Sequence, residues 1–526
     1  MSDVNTFART TIMDIFSNGS ITTGGVVGSI CAGLIDVLWP SKEDVWSEIK
    51  ANVEALIQSD LNQKLNNYNY DIVDKSLSGL KLDMANYLSS ATSIDSKRTG
   101  YLFNDVQNQM LHDLPCFQSF GISSNGLWTP GTPEEQQIAL LLLPLFTQFA
   151  NLHLSLMRDG VLCGSKWGWS EYDVNSLKDV LKSYIKSHTD YCNNTYNNAL
   201  QNLINNTPTN NHLTEPFLTI NRFVREMTLS VLDFKNMWMY YDPTVYPEPI
   251  KINLSREIYS DPMGSSTDSG PARVNLSVNN EISRIEVWGS AKPDYLFPGD
   301  GHATENFPEN SLIDLVDACA VEYVALNSVD NPGNTGRMGD ISGGSNQDLS
   351  KQPNIPFPEW ENKGFVLDSV SLVDNPVVEA TAYCGTELFR PDRWDNGDKH
   401  YDIISLGGTV NAIILKQKDG TVLTSGGSRI SHKHVPLEEG PSPDSFATIA
   451  ADYESFSYPD EILSSIKIMG ISKLYGTADC VIFGFKFPNS PDSIDNARQV
   501  FTNVSNLLFN KNGELISPYH DGGWPR

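Results

Sequence analysis

The sequence predicts a multi-domain protein with a helical domain built around one apolar helix, followed by an all-β domain of antiparallel sheets. Three observations predict this division. Apolar residues recur at helical spacing before residue 250, one segment there carries no charge, and the later chain is rich in glycine, proline and short β-branched runs. We therefore predict a helical domain over residues 1-250 and a β domain over 251-526.

The helical domain begins with amphipathic segments. Apolar side chains fall at helical spacing through residues 41–65. A second stripe predicts a helix over 101–114, and two more occupy 169–206 and 219–238. Each has a wetter side, so each buries only one face.

One segment differs because it is apolar on every side. Residues 136–157 contain no Asp, Glu, Lys or Arg. Thr132 as N-cap, Pro133 in the first helical position and Glu135 two residues later predict where this helix begins. About twenty apolar residues can cross a bilayer, but such a helix can equally be the central rod of a soluble domain.

Polar side chains within this segment favour the soluble interpretation, since each would need a partner in lipid. They are Gln148, Asn151, His153 and Ser155. We therefore expect a bundle in which amphipathic helices surround a fully apolar rod.

The β domain contains a weak internal repeat. Residues 403–427 and 466–487 each read as a strand, a glycine turn and a strand, and 282–301 is a looser third copy. Three such units predict a prism of three antiparallel sheets.

Composition excludes several classes of protein. The net charge of −27 leaves no basic face for nucleic acid. The seven cysteines are scattered without a C-x-x-C pair, which argues against a zinc site or a disulfide framework. GxSxG, HExxH and P-loop motifs are absent, so we expect no enzyme, metal or cofactor, although a glycosidase pair of carboxylates has no sequence signature.

Three ordered blocks are specific enough to indicate a family. They are VGSICAGLIDVLWPSKEDVWSEIKANVEALI (27–57), LPLFTQFANLHLSLMRDG (143–160) with W-G-W at 167–169, and NRFVREMTLSVLDF with YYDPTVYP and LSREIYSDP (221–262). Over about residues 25–262 the chain resembles the insecticidal crystal delta-endotoxins. The resemblance implies a seven-helix pore-forming domain around a central hydrophobic helix, followed by a β-prism domain that binds a receptor.

The resemblance also implies that helices four and five insert into a membrane as a hairpin. The inserting helix then corresponds to 133–158 and its partner to about 101–114. The membrane-inserting side chains are Leu140, Leu141, Leu142, Leu143, Phe146, Phe149, Leu152, Leu154 and Leu156. The candidates that face the lumen of a pore are Asn104, Asp105, Asn108 and His112.

Two further groups of residues are candidates for function. The resemblance suggests that Asp233 or Arg225 pairs with Arg256 to latch the domains, although charges such as Arg222, Arg225, Glu226 and Asp233 are more often solvated surface. Segments 390–399, 426–434 and 470–476 are expected to be receptor-binding loops because they join strands and mix basic and aromatic residues. Their main candidates are Arg393, Trp394, Arg429, Lys473 and Tyr475.

Three histidines have alternative interpretations as a metal site or a pH trigger. His432 and His434 alternate along a strand pattern, but without a third ligand an exposed loop is the better interpretation than a metal site. His153 is expected to be a satisfied core histidine, with a pH trigger as the weaker alternative.

These features together predict a pore-forming toxin that binds a protein or glycan receptor and then membrane lipid. We expect a soluble monomer, a homo-oligomeric pore, and a two-domain chain that lacks the family's usual third domain. MSDVNTFARTT shows no Sec-type signal peptide, so we expect synthesis in a cytosol, either free or as an inclusion or crystal, and extracellular action on target-cell membranes. The alternative is a lectin-like binding protein whose helical half is only a platform.

Overall fold

The structure is a computed structural model of the 526-residue chain. It describes residues 3–18, 29–38, 67–91, 96–118, 132–206, 214–264 except 248, 253 and 255, 282–290, 320–328, 337–339, 363–384, 387–395, 398–405, 410–426, 452–471 and 478–488. The chain divides into two units, Met1–Asn206 with Arg222–Leu254, and Thr207–Asn221 with Ser255–Arg526.

The first unit is helical. Its helices are α1 (Asp3–Asn18), α2 (Ser29–Leu38), α3 (Asn67–Ala91), α4 (Ser96–Gln118), α5 (Pro133–Cys163), α6 (Glu171–Asn206), α7 (Thr214–Met227, whose first turns belong to the second unit) and α8 (Asp233–Met237). Short 3₁₀ turns follow α5 at Gly164–Trp167 and α8 at Trp238–Tyr241. The helix predicted over 41–65 lies outside the described residues.

The start of α5 agrees with its sequence signals. Thr132 Oγ1 accepts a hydrogen bond from the Glu135 backbone at 3.3 Å, and Glu135 Oε2 accepts one from the Thr132 backbone at 2.6 Å. This capping box satisfies two donors that a helix start leaves open. Pro144 lies within α5, and the helix continues on both sides of it.

Two helices differ from the prediction in extent. α4 has 23 residues because it begins in the polar segment 96–100 and continues past Leu114 through Pro115 to Gln118. The segment after α7 is a π-helical turn, Thr228–Leu232, rather than a continuous α-helix. There the Thr228 and Ser230 hydroxyls donate to backbone carbonyls four residues earlier, at 2.7 and 2.6 Å, and such bonds compete with regular helix geometry.

The core of the helical unit is centred on α5, which packs against α2, α4 and α6. Phe149 stacks on Phe117 of α4 with ring centroids 4.5 Å apart, and Phe146 meets Tyr191 of α6 edge-to-face at 4.7 Å. Aromatic pairs of this kind add about 0.5–1.5 kcal/mol to the burial of their surface. The predicted central apolar helix is therefore observed.

The second unit is mostly antiparallel sheet. Its strands are β1 (Glu257–Tyr259), β2 (Met263–Gly264), β3 (Ile282–Ser290), β4 (Ala320–Ser328), β5 (Arg337–Gly339), β6 (Lys363–Leu367), β7 (Val377–Cys384), β8 (Glu387–Asp395), β9 (Asp398–Ser405), β10 (Val410–Gln417), β11 (Val422–Gly426), β12 (Asp452–Ser457), β13 (Ile462–Ile471) and β14 (Ala478–Lys486). One short helix, α9 (Ser369–Val373), precedes β7.

These strands form three four-stranded sheets and one two-stranded ribbon in the described part of the chain. The orders are β11-β10-β7-β12, β5-β4-β3-β6, and β1-β14-β13 with β2 beside β14, while β8 pairs only with β9. The three sequence repeats contribute β10–β11, β13–β14 and β3, which lie in three different sheets. In the first repeat β9 pairs with β8, whereas β10 pairs with β7 and β11, so within the described residues β9 and β10 do not form the predicted hairpin.

Candidate membrane-inserting helix

All nine side chains predicted to insert into a membrane are buried in α5. The most exposed of them, Leu140, retains 8% of its accessible surface, and Leu143, Phe146 and Phe149 retain none. Among the described residues, one helix, covering Glu135–Trp167, is long and apolar enough to cross a bilayer. The same composition suits a core helix, so burial alone does not separate the two roles.

The polar side chains in the middle of α5 are bound by neighbouring elements. Gln148 donates to Asn5 of α1 at 3.3 Å, and Asn151 donates to Gln148 at 3.0 Å. The indole Nε1 of Trp238 donates to Asn151 Oδ1 at 2.7 Å. These bonds offset the cost of burying amides and join α5 to two other elements.

The C-terminal third of α5 is bound in the same way. Ser155 Oγ lies 3.0 Å from Cys31 Sγ of α2, and Asp159 accepts a hydrogen bond from the Tyr87 hydroxyl of α3 at 3.1 Å. Burial, with the nearby negative charge of Asp159, raises the pKa of Tyr87 well above its usual value, so Tyr87 stays a donor. Arg158 donates to the Tyr241 carbonyl at 3.0 Å.

His153 contacts another histidine. Its Nδ1 lies 3.1 Å from Nε2 of His188 on α6, and neither residue has any exposed surface. The interpretation of His153 as a core histidine is therefore consistent with its burial, and its partner is a second ionisable ring.

Glycine allows a close approach at the end of α5. A Cβ added to Gly160 would lie 2.6 Å from Leu177 of α6 and 2.7 Å from the ring of Phe103 on α4. Nearby, Phe103 packs against Trp167 and Trp169 of the W-G-W motif with ring centroids 5.6 and 5.0 Å apart. This aromatic cluster joins α4 to the end of α5.

The four lumen-facing candidates lie together on the exposed side of α4. Asn104, Asp105, Asn108 and His112 are exposed, while Phe103, Val106, Met110 and Phe117 are buried on the other side. Burial, with repulsion from Asp105 and Asp113, raises the pKa of Asp83 on α3. α4 therefore carries an acidic, hydrated face in the soluble protein, and its role in a pore stays a prediction.

The latch candidates have partners within their own units. Asp233 binds Arg9 of α1 at 2.9 Å, and Arg225 binds Glu226 at 3.2 Å. Arg256 binds Glu461 through two hydrogen bonds of 2.6 and 2.8 Å. Arg225, Glu226 and Asp233 are buried, so the interpretation of these charges as solvated surface is wrong. Arg222 is exposed, in agreement with that interpretation. The latch between domains stays a prediction.

The first receptor-loop candidate is not a loop at its two main residues. Arg393 and Trp394 lie in β8, which pairs with β9 up to Asp395 opposite Asp398. The sequence between Asp395 and Asp398 is Asn-Gly, a dipeptide typical of two-residue hairpin connections, and it could have predicted that the ladder extends this far. Arg429, Lys473, Tyr475, His432 and His434 lie outside the described residues.

Sequence analysis missed most of the residues that hold α5. Asn5 and Arg9 lie on the same face of α1 as the buried Ala8, Ile12 and Phe16. Polar residues within an apolar stripe are a usable signal for buried partners. His188 carried this signal too, since it lies in the apolar stripe of α6 with Leu181 and Cys192. Cys31 and Tyr87 gave no such signal, because their pairing depends on the register between helices. No group of three possible metal ligands occurs in the part of the chain that the structure describes.

Comparison with known proteins relates the helical unit to one family. Residues 16–242 match the profile described as delta endotoxin, N-terminal domain. The pesticidal crystal protein Cry1Id of Bacillus thuringiensis is 32% identical over 256 residues, which cover 48% of this chain and 32% of that protein. The match thus spans less than two thirds of the relative's length.

Two solved structures share the fold. The insecticidal delta-endotoxin Cry8Ea1 from Bacillus thuringiensis aligns with a TM-score of 0.60 at 18% identity, covering 92% of this chain and 73% of that one. PirB aligns with a TM-score of 0.55 at 10% identity, covering 93% of this chain and 96% of that one. At these identities the likeness concerns the fold alone.

Proposed function

We propose that this chain is an insecticidal pore-forming toxin of the delta-endotoxin family, because its residues 16–242 match the N-terminal domain of that family. The observation that supports this most directly is the burial of α5 among the neighbouring helices: this helix is long enough to span a bilayer, and its residues 136–157 carry no charged side chain. In this proposal the helical unit is the family's seven-helix bundle, and the chain is not an enzyme.

The proposed mechanism moves the hairpin of α4 and α5 from the bundle into lipid. Each apolar side chain of α5 is worth about 1.5–3 kcal/mol when buried, but the folded bundle already gains most of that energy. Receptor binding, proteolysis or oligomerisation must therefore tip the balance. With a net charge of −27, attraction to anionic lipid does not supply this energy.

The polar contacts of α5 define what its departure must break. Hydrogen bonds to α1, α2, α3 and α6 and to Trp238 contribute about 0.5–1.5 kcal/mol each. In lipid the side chains freed from these bonds need new partners. The hydrated face of α4 and other copies of α5 would supply such partners, which favours a homo-oligomeric pore formed from soluble monomers.

The β unit is the proposed receptor-binding part. Its three separate antiparallel sheets support a β-prism with binding loops at one end. The receptor is a protein or glycan on the target-cell surface. Storage as an inclusion or crystal, followed by action outside the producing cell, fits the pesticidal crystal proteins that the chain resembles.

A reversible lock on α5 tests the proposal. Ser155→Cys places a thiol beside the native Cys31, whose sulfur lies 3.0 Å from the present hydroxyl, so oxidation should join α5 to α2. We expect the oxidised, trypsin-treated variant to release less than a tenth of the liposome dye that the reduced variant releases. Ser155→Ala, which cannot form the bond, controls for loss of the hydroxyl.

Two outcomes would contradict pore formation by α5. Equal dye release with the bond intact would show that α5 does not need to leave α2. Binding to target cells without dye release or bilayer conductance, in the unmodified and the protease-treated protein, would favour the lectin-like platform instead.

A further inference from the structure

We propose that His153 and His188 form an acid-sensitive lock between α5 and α6. The two rings meet directly, His153 Nδ1 to His188 Nε2 at 3.1 Å, and both residues are fully buried. The proposal concerns the soluble protein, so it stands whether or not α5 enters a membrane.

The surroundings of the pair are aromatic and uncharged. Tyr184 lies 4.6 Å from the ring of His153, while Phe146 and Trp238 lie 5.3 and 6.2 Å from the ring of His188. The outer nitrogens, His153 Nε2 and His188 Nδ1, are buried and have no hydrogen-bond partner within the described residues. A positive charge on either ring would therefore be poorly compensated.

Charged groups on the elements around the pair have their own partners. Asp233 of α8 binds Arg9 of α1, and Lys235 donates to Asn193 of α6. On α4, Asp113 accepts hydrogen bonds from Gln109 and contacts the exposed His112. On α5, Arg158 donates to the Tyr241 carbonyl, and Asp159 accepts a hydrogen bond from the Tyr87 hydroxyl.

The remaining ionisable groups near the pair stay neutral in the relevant range. Burial raises the pKa values of Tyr184, Tyr191 and Cys192 on α6. In the described part of the chain, no carboxylate is hydrogen-bonded to either histidine ring.

Counting protons shows why the contact is sensitive to acid. In the neutral pair one inner nitrogen donates a proton and the other accepts it. A first extra proton places a charge in the dry core. A second extra proton turns both inner nitrogens into donors, so the bond between them is lost and the rings repel. The doubly protonated pair fits only if α5 and α6 separate.

The direction of the pH effect follows from this burial. Loss of hydration, with repulsion from His153, lowers the pKa of His188 well below its usual value. The unfolded chain binds protons near pH 6.5, whereas the buried pair resists them. The stabilising effect of neutral rings is therefore complete above about pH 6.5 and is lost as the pH falls below that value.

Urea unfolding between pH 7.5 and 5.5 tests the lock in the full-length protein, because most Asp and Glu side chains stay ionised in that range. Each neutral buried histidine increases the unfolding equilibrium constant by up to about tenfold per pH unit below pH 6.5. We expect His188→Gln to remove about half of this dependence and His153→Gln/His188→Gln to remove nearly all of it. His112→Gln, at an exposed position, should keep the wild-type dependence. Equal slopes for wild type and double variant would overturn the proposal.

A second measurement covers the case in which the variants do not fold. In wild-type protein with ¹⁵N-labelled histidine, NMR should show two imidazoles that remain neutral at pH values where a histidine in an unfolded chain becomes protonated, near and below pH 6.5. If all histidines titrate near pH 6.5 while the helical circular dichroism is unchanged, the core accommodates the charges and there is no lock.

Discussion

α4 and α5 are neighbours in one bundle, but they are buried in different ways. α4 has a dry side around Val106 and Met110 and a wet side around Asn104 and Asn108. Residues 139–161 of α5 are buried on all sides, and several of their polar side chains, among them Gln148 and Asp159, are hydrogen-bonded to other helices. The difference teaches that a helix apolar on every side can be held in register by a few polar contacts. An amphipathic helix is instead oriented by the burial of its apolar side and the hydration of its polar side.

The largest expected difference between the two helices is the effect of removing an aromatic ring. Phe149→Ala in α5 removes a fully buried ring that stacks on Phe117, and we expect a loss of about 3–5 kcal/mol of unfolding free energy. Tyr101→Ala in α4, whose side chain is 72% exposed, should change it by less than about 1 kcal/mol. Urea unfolding monitored by helical circular dichroism measures both. Similar losses would contradict the contrast.

The next difference concerns polar side chains. Asn151→Leu leaves the buried indole N–H of Trp238 without its acceptor, so we expect a loss of about 1–3 kcal/mol. Asn108→Leu on the exposed side of α4 should change stability by about 0.5 kcal/mol or less. Both substitutions have the same chemistry, so only their locations differ. A larger effect for Asn108→Leu would show that the hydrated face of α4 is structural.

A substitution at the contact between α4 and α5 should change the unfolding free energy by a smaller amount. Gly160→Ala places a methyl group 2.7 Å from Phe103, and the resulting strain, partly offset by better helix propensity, should cost about 1–2 kcal/mol. Gly79→Ala in α3 is the matched control, because its Cβ meets no atom within 4 Å. We expect that control to stabilise the protein by about 0.5–1 kcal/mol. Two stabilising substitutions would mean that α4 and α5 are not tightly packed at Gly160.

The smallest expected effect is on ion selectivity. If the wet face of α4 lines the pore, Asp105→Asn should lower the cation-to-anion permeability ratio in planar bilayers without preventing channel formation. Asp179→Asn, on the exposed surface of α6, should leave that ratio unchanged. An unchanged ratio for Asp105→Asn would remove this residue from the proposed lumen.

Sequence signals that involve only a few neighbouring residues, such as helix caps, predicted the helical unit well. The box of Thr132 and Glu135 located the start of α5, and Ser170 with Asp173 forms the equivalent cap of α6. The apolar stripe of α4 predicted its buried side but not its length, because the polar segment 96–100 has no hydrophobic period to count and the helix continues through Pro115 to Gln118.

Contacts between distant residues were not predictable in the same way. The Arg9–Asp233 pair joins residues 224 positions apart, and His188 meets His153 only because of the register between α5 and α6. In the β unit, turn-forming residues at 390–399 suggested a loop, but Arg393 and Trp394 lie in a strand whose ladder continues to Asp395. Periodicity identifies which face is buried, and it does not identify the partner.

The hydrogen bond from Trp238 to Asn151 gives the protein an intrinsic optical probe. The indole is fully buried, bound to α5 and 6.2 Å from the ring of His188. If α5 leaves the bundle as proposed, this indole loses its acceptor and meets water, so its fluorescence should shift to longer wavelength. A difference spectrum against Trp238→Phe would therefore follow the departure of α5 in real time, without any attached dye.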